Sequence, residues 1–497
     1  MNTSGVRKLW RLALLTAVMM QGLVPGYLQA AAFDLGKQRI DFPQQGAAPV
    51  RWESCEDICA TNTRRTHWFT LNDGGMSFSA PDNPEVDAIL KSGVFTFARQ
   101  GYADSTEIIA SSERRVQGHD IVVVYRSLHD NHLVSISIVA PVPVYLNLEG
   151  GDVLVPAQLP GFGAIYSKVR AAQFFDGDQL YLEPEPEEVI EAEVPAEAWF
   201  GIRNRYWLWY ARSPEAINLA VQSALPNRPQ IRFQVPADGI QLYAGPTELG
   251  ALKAASPELS GVLFAAIWDW LRALSFGLLY LLEWLYGLVG NYGFAIILLS
   301  LSVKILMYPL TYIADKWQAQ VNAITSAMKP KLDEIKRNYK GEEAHNKVLE
   351  VYKEHNVTPF YTLRSLFGFL IQIPVFIAAF DMLAENFVLS GQSFLWIADL
   401  AKPDHVAMLP FALPFFGGYL NLLPFLMTLL TIVSAIVQEE ADLTPDLMRQ
   451  QRIKLFLMAG AFFLLFYTFP AGMVLYWTAN NLFHLLKILP QRLIRAG

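Results

Sequence analysis

The chain has 497 residues with 39 basic and 46 acidic side chains, giving a net charge of −7, and 53% of its residues are hydrophobic while 17% are charged. Globular proteins average about 45–50% apolar and about 25% charged residues. The composition therefore excludes a disordered chain, a nucleic-acid binder that relies on a basic surface, and a purely soluble protein. Because the acidic excess lies in the first half and the long apolar runs in the second, we expect a soluble domain joined to a membrane domain.

Residues 1–32 have the pattern of an export signal. Arg7, Lys8 and Arg11 precede an apolar run, and small residues at 28–32 suit cleavage. The apolar run is shorter than the roughly 20 residues that a membrane span needs, which favours a cleaved signal peptide over an uncleaved signal anchor. In either form, the segment delivers the following domain across the membrane.

Two cysteines, Cys55 and Cys59, follow the signal with three residues between them. In an oxidising compartment such a pair closes a small disulfide loop, and two free thiols are the alternative. No further ligand types cluster nearby, so we expect neither a metal site nor a cofactor here.

Residues 33–260 have the pattern of a β-domain. Alternating apolar runs are separated by Gly, Pro and polar turns, which predicts an antiparallel β-sandwich; the clearest runs are residues 120–126, 132–139, 142–148, 230–235 and 239–244. The acidic stretch at 183–197 is predicted to be a solvated loop. His129 and His132 have a metal-ligand spacing but lie at a predicted turn. Because no catalytic motif accompanies them, we expect no enzyme and no catalytic residue.

The second half contains five apolar segments of about membrane-spanning length, at residues 292–312, 366–383, 420–437, 453–469 and 471–489. Lys and Arg concentrate in residues 315–358, a predicted hairpin of two helices, which the positive-inside rule places in the cytoplasm together with the C-terminus. An odd number of crossings must separate this hairpin from the exported domain. Residues 262–290, rich in Trp and Tyr, are therefore predicted to form an amphipathic segment lying along the outer membrane surface.

Several spaced motifs carry a family resemblance. They are Ala198-Trp-Phe-Gly-Ile-Arg-Asn-Arg-Tyr-Trp207 in the exported half, followed by Leu306-Met-Tyr-Pro-Leu310, Leu370-Ile-Gln-Ile-Pro-Val-Phe376 and Phe469-Pro-Ala-Gly-Met-Val-Leu-Tyr476. In this order they resemble the bacterial YidC family of membrane protein insertases. The resemblance implies a membrane protein of the bacterial inner membrane, with a periplasmic antiparallel β-supersandwich followed by a five-span α-helical insertase core at residues 291–490.

The resemblance also implies the function. Members of this family insert and help fold nascent membrane proteins in the lipid bilayer, alone or with the Sec translocon and the ribosome, and need no cofactor and no nucleic acid. They use a hydrophilic groove that opens to the cytoplasm and to lipid. Such a groove gives a hydrated segment a polar environment while its apolar neighbours partition into lipid.

The groove arginine of the family corresponds to Lys304, and Ser300 lies on the same helical face. Polar residues of other predicted spans that would converge with Lys304 are Gln372, Thr478, Asn480 and Asn481. The alternative is that Lys304 extends along its span to the cytoplasmic surface, in which case Arg364 is the next candidate for the groove charge. Asp381 and Glu385 are expected at the outer end of their span.

Four features depart from the family pattern and suggest a divergent paralogue: Lys304 in place of arginine, Arg364 in a lengthened segment, the short tail after Pro490, and the pair Cys55 and Cys59. A function of another class, a membrane-anchored glycan-binding or envelope-assembly module, follows from the likeness of the sandwich to sugar-binding folds. A small-solute transporter is a third possibility, although no inverted repeat is visible in the sequence.

Overall fold

The computed structural model describes residues 31–56, 58–59, 67–72, 75–150, 159–225, 227–358, 360–438 and 445–496. The predicted export signal at residues 1–32 lies almost wholly outside the described residues. The described chain has a strand-rich first part and a helix-rich second part, as the two kinds of hydrophobic pattern predict.

The strands of the first part are antiparallel to their neighbours. In chain order they are β1 Ala31–Asp34, β2 Gln38–Phe42, β3 Arg51–Cys55, β4 His67–Asn72, β5 Met76–Ser79, β6 Phe95–Gly101, β7 Ser105–Ser112, β8 Val122–Leu128, β9 Leu133–Val139, β10 Tyr145–Glu149, β11 Arg170–Phe175, β12 Asp178–Leu182, β13 Val189–Val194, β14 Trp199–Arg203, β15 Trp207–Arg212, β16 Ile217–Leu225, β17 Arg228–Gln234 and β18 Ile240–Pro246. Two short helices accompany them, α1 Pro84–Ser92 and α2 Leu249–Ala255.

The predicted β-sandwich is confirmed. A nine-stranded sheet (β12-β11-β14-β15-β18-β9-β8-β7-β6) faces a five-stranded sheet (β13-β16-β17-β10-β5), and a four-stranded sheet (β1-β2-β3-β4) covers one side. Phe200 of the large sheet meets Phe233 of the five-stranded sheet edge to face, with ring centroids 4.8 Å apart. Trp52 of the small sheet packs on Trp209 of the large one at 5.6 Å. Apolar side chains that alternate along each strand thus fill a common core.

The prediction of a loop through the acidic stretch 183–197 was wrong in part. Strand β13 lies within it, paired in register with β16 along its full length. Glu191 and Glu193 point outward while Val194 is buried, so the segment has the period-two alternation of a strand. Charged residues are common on such edge strands, where they discourage pairing with other chains.

Two predicted features of the small sheet are visible in the structure. Cys55 and Cys59 are joined by a disulfide, with Cα atoms 5.5 Å apart. The two histidines make separate contacts: Nε2 of the buried His132 lies 3.1 Å from the carbonyl oxygen of Cys55, and Nε2 of His129 lies 2.9 Å from the hydroxyl of Thr106. They therefore do not converge on a common point.

The second part contains the helices α3 Asp269–Val289, α4 Tyr292–Asn338, α5 Gly341–Glu354, α6 Phe367–Glu385, α7 Leu422–Val437, α8 Pro445–Phe466 and α9 Ala471–Ala496, together with a two-stranded sheet, β19 Ala407–Leu413 and β20 Gly417–Leu420. Within the described residues, α3 and α4 are long and apolar enough to cross a membrane by length and composition, and α7 is a shorter apolar helix.

Helix α4 differs from the expectation of a span followed by a separate helix. It continues for 47 residues through Pro309 and Pro330, a length of about 70 Å at about 1.5 Å per residue. The expected boundary rested on the change from apolar to charged residues near 315. Polarity alone does not end a helix, and no glycine lies between Gly293 and the helix end. Helix α5 then folds back on α4, with Met328, Ile335 and Val351 as a small core of their own.

The sandwich and the helices share one apolar core. Side chains of the large sheet, among them Trp199 and Tyr210, belong to the same buried cluster as Leu282 of α3, Met382 of α6 and Tyr476 of α9. Because these groups are buried jointly, separating the two parts would expose apolar surface on both.

A buried ion pair crosses the same boundary. Nη2 of Arg203, at the end of β14, lies 3.7 Å from Oε1 of Glu385, at the end of α6. The other carboxylate oxygen of Glu385 accepts a hydrogen bond from the backbone of Phe264, and Nη1 of Arg203 donates to Gln179 at 2.9 Å. Glu385 and, one turn earlier, Asp381 therefore lie at the end of α6 that faces the sandwich, as expected from the sequence.

Replacing Glu385 by Gln should destabilise the junction, because Arg203 would lose its hydrogen-bonded counter-ion while remaining buried. Breaking a buried pair in this way costs roughly 3–5 kcal/mol, against about 0–1 kcal/mol for an exposed pair. We expect E385Q to lower the thermal unfolding midpoint of the full-length protein in detergent by several degrees. The matched control is E183Q, which removes the half-exposed pair of Arg170 and Glu183; equal midpoints for both variants would contradict the prediction.

His132 should make the sandwich sensitive to acid. Burial lowers the pKa of His132 to about 4, below the roughly 6.5 of an unfolded chain. The unfolded state therefore binds a proton that the folded state does not, and stability falls by at most about 3 kcal/mol as the pH decreases from 6.5 towards 4. We expect H132Q to flatten this dependence, measured by the β-sheet circular dichroism signal on heating. An unchanged slope in H132Q, or an equal change in the exposed control H119Q, would contradict it.

Candidate hydrophilic groove

Lys304 is positioned by the apolar face of α4 against the first turns of α9. Its ammonium group donates hydrogen bonds to the backbone carbonyl of Asn480, at 2.8 Å, and to the side-chain oxygen of the same residue, at 2.5 Å. These two acceptors partly replace the water that a lysine loses inside a helical bundle. The structure thus brings together two of the residues that the sequence proposed for the groove.

Asn481, the next residue, points to a different helix. Its amide nitrogen donates to the hydroxyl of Thr431 at 2.8 Å and lies 3.4 Å from the carbonyl oxygen of Met427, both on α7. Adjacent residues of a helix diverge by about 100°, which is why Asn480 can contact α4 while Asn481 contacts α7. Helix α9 therefore carries polar contacts to both of its neighbours at the same level.

Two other proposed residues are buried beside this contact. The hydroxyl of Ser300, one turn from Lys304, has no hydrogen-bond partner among the described residues. Thr478 returns its hydroxyl to the carbonyl of Val474 in its own helix, at 2.7 Å. Ser300 thus offers an unused polar group next to Lys304, whereas the hydroxyl of Thr478 is occupied.

The structure does not bring Gln372 or Arg364 to the same place. The side chain of Gln372 is exposed on α6, and Arg364 is exposed in the short 3-10 helix Tyr361–Leu366 that precedes it. Sequence alone placed both by their depth in the chain. Their direction around the helix depends on how α6 packs, which the sequence did not reveal.

Sequence reasoning missed a second ionic contact between the same two helices. Nζ of Lys487 on α9 lies 2.8 Å from Oδ2 of Asp315 on α4. Asp315 is eleven residues, or about three turns, beyond Lys304, and Lys487 is seven residues beyond Asn480, so each lies on the face already in contact. This helical spacing was the available signal. We call Lys304, Asn480, Asn481, Thr431, Asp315 and Lys487 the polar seam.

The polar seam connects α4, α7 and α9 and extends from the level of Lys304 to that of Asp315, about 16 Å along α4. Within the described parts of the chain, no group of three or more His, Cys, Asp or Glu side chains is placed to hold a metal ion. The seam consists of amide, hydroxyl and ionic groups, which can exchange hydrogen bonds with a polar segment or with water.

Comparison with known proteins gives a consistent family. Residues 284–494 match the family described as "60Kd inner membrane protein". The chain is 32% identical over 251 residues to the membrane protein insertase YidC of Janthinobacterium sp. (strain Marseille), which covers 48% of this chain and 40% of that protein. It is 33% identical over 303 residues to the membrane protein insertase YidC of Thiobacillus denitrificans, covering 59% and 48%.

A solved structure titled "Active YidC insertase crystal structure with the first transmembrane domain resolved" aligns with 96% of this chain and 99% of that chain, at 17% identity and a TM-score of 0.37. A score at this level does not equate two folds, so the assignment depends on the sequence matches. The matches to the curated relatives named above span less than half of those proteins' length. A glycan-binding module finds no support among these relatives. Through residues 284–494 the chain belongs to the YidC family of inner membrane proteins.

Proposed function

We propose that the protein is a membrane protein insertase and chaperone, which uses the polar seam to shelter hydrophilic parts of nascent membrane proteins while their apolar parts enter lipid. The contact of Lys304 with Asn480 supports this most directly. A charge at the centre of a span costs roughly 2.5–3.5 kcal/mol on insertion scales, and a lysine that only anchored the helix would extend to the surface instead of donating to a neighbouring span.

The arrangement of helix ends supports five crossings. The start of α4 contacts the loop after α6, since the side-chain amide of Asn291 donates to Ser393. The end of α6 pairs with Arg203 of the sandwich. The turn between α8 and α9 meets the sandwich as well, because Thr468 accepts a hydrogen bond from the backbone of Gly163 at 2.9 Å. Helices α4, α6, α8 and α9 thus alternate in direction from the sandwich side, and α7 completes the series.

This alternation gives the orientation. The hairpin of α4 and α5 leaves from the ends opposite to the sandwich and carries the basic residues of 315–358, which favours a cytoplasmic hairpin and a periplasmic sandwich in the bacterial inner membrane. The C-terminal end of α9 then lies in the cytoplasm. Nascent membrane proteins would arrive on this side, with the Sec translocon and the ribosome as expected partners.

Helix α3 fits a position on the outer membrane surface. Its buried residues, including Leu278 and Leu282, face the shared core, while Trp270 and Trp284 are exposed. Along its length it contacts the base of the sandwich: Arg272 donates to the carbonyl of Gly261, and Tyr280 accepts a hydrogen bond from Lys253. A helix in contact with a soluble domain over several turns, with aromatic residues on its free face, suits the bilayer interface.

Complementation tests the function. Expression of the full chain should restore growth to a bacterium depleted of its own insertase, whereas a variant in which a flexible linker replaces residues 315–356 should not, although it still reaches the membrane. The small core of Met328, Ile335 and Val351 would be lost in that variant. Failure of the unmodified chain to restore growth, or full growth with the linker variant, would contradict the proposal.

A charge series at Lys304 tests the polar seam. We expect K304R to keep insertion of client proteins with charged translocated segments, because it retains the positive charge beside Asn480. K304L should reduce such insertion about tenfold or more while sparing clients whose translocated segments are uncharged. The matched control is K402L in the loop after α6, a largely exposed lysine whose ion pair with Asp399 is local.

The readout is protease protection of radiolabelled clients in vesicles that contain each variant. If K304L inserts charged and uncharged clients as well as the unmodified chain, Lys304 is a helix anchor and the seam does not handle client charge.

A further inference from the structure

The second part carries an exposed apolar surface that the helical spans do not explain. The hairpin of β19 and β20 exposes large apolar side chains, among them Met408 and Phe411, which are 75% and 64% exposed. Next to it, the 3-10 helix Gly161–Ser167 of the sandwich exposes Phe162 and Ile165. Phe162 meets Phe415 of the hairpin edge to face, with centroids 5.0 Å apart, so the two segments form one surface. We call it the apolar foot.

The foot is held in place from both sides. Gly417 lies so close to Pro160 that a Cβ built on it would be 2.8 Å from the proline Cγ. At the base of the hairpin, the carboxylate of Asp404 accepts hydrogen bonds at 2.9 Å from the backbone of Leu422 and Leu423, the first residues of α7. A buried carboxylate at a helix start satisfies two free N–H groups and favours a fixed geometry. The foot therefore extends rigidly from the outer end of α7.

Length and charge indicate what covers the foot. Helix α7 has 16 residues, about 24 Å at about 1.5 Å per residue, against a hydrocarbon core of about 30 Å. The charge-free stretch is much longer: residues 406–438 contain no Asp, Glu, Lys, Arg or His, and neither do residues 159–167 of the sandwich. A water-exposed hairpin carries polar residues at its tip, whereas this one has Phe-Ala-Leu-Pro-Phe-Phe at 411–416.

We propose that the apolar foot is inserted into the outer leaflet of the bilayer, where lipid acyl chains cover Met408, Phe411, Phe162 and Ile165. The hairpin completes the apolar thickness that the short helix α7 leaves unfilled. The sandwich then touches the membrane through its own residues 159–167 and not only through the helices. This proposal depends on α7 being a membrane span, which is part of the proposed function above.

Spin labels at single cysteines test the insertion. M408C, F411C and I165C are labelled in the full-length protein, whose native cysteines are bonded to each other, and the protein is reconstituted in vesicles of phosphatidylethanolamine and phosphatidylglycerol. Collision rates with oxygen, which concentrates in lipid, are compared with those of a water-soluble nickel chelate. The lipid reference is L429C on the exposed face of α7, and the water reference is L225C on the sandwich, each 57% exposed.

We expect the three foot positions to show the high ratio of oxygen to nickel collisions found at Leu429, and not the low ratio found at Leu225. A low ratio at the foot with a high ratio at Leu429 overturns the foot while leaving the span intact. Low collision rates with both reagents at the foot also overturn it, because they mean that protein covers this surface. A low ratio at Leu429 itself contradicts the span and with it the proposed topology.

Discussion

The shared apolar core between the sandwich and the helices determines the architecture of this protein. Large aromatic side chains of the nine-stranded sheet are buried with side chains of α3, α6 and α9, so neither part is complete without the other. The junction also contains Arg203 with Glu385. A buried ion pair adds little net stability but demands one geometry, because any displacement leaves a charge unpaired in an apolar environment. The core supplies the free energy of association, and the ion pair selects its register.

Inside the helical part, the requirement to satisfy polar groups has the same organising effect. Lys304, Asn481 and Asp315 each find a partner on a different helix, so every contact ties two helices together. In lipid an unpaired polar group is expensive, and such contacts therefore specify which helices are neighbours. Ser300 has an unused hydroxyl beside Lys304, and an unsatisfied group of this kind is where a client segment or water would bind. The seam is thus both a structural device and the proposed functional surface.

The outer side of the protein presents aromatic and apolar side chains in two places, the free face of α3 and the apolar foot. Both are attached to the sandwich, α3 through Arg272 and Tyr280 and the foot through Phe162. On this arrangement the periplasmic domain rests on the bilayer and is not suspended above it. Its position relative to the groove would then be set by lipid as well as by protein contacts, which constrains how a client could leave towards the periplasm.

The sequence by itself determined the class of each segment. Period-two alternation identified the sandwich strands, and apolar runs identified the membrane helices, because both signals arise from neighbouring residues along one element. Even Lys304 and Asn480 were placed in one site, although by family resemblance. Tertiary structure alone decided the rest: that α4 continues past residue 315, that β13 pairs with β16, that Gln372 and Arg364 face away from the seam, and that Lys487 reaches Asp315. These outcomes depend on how helices and strands rotate against partners distant in sequence, and local patterns carry no information about that rotation.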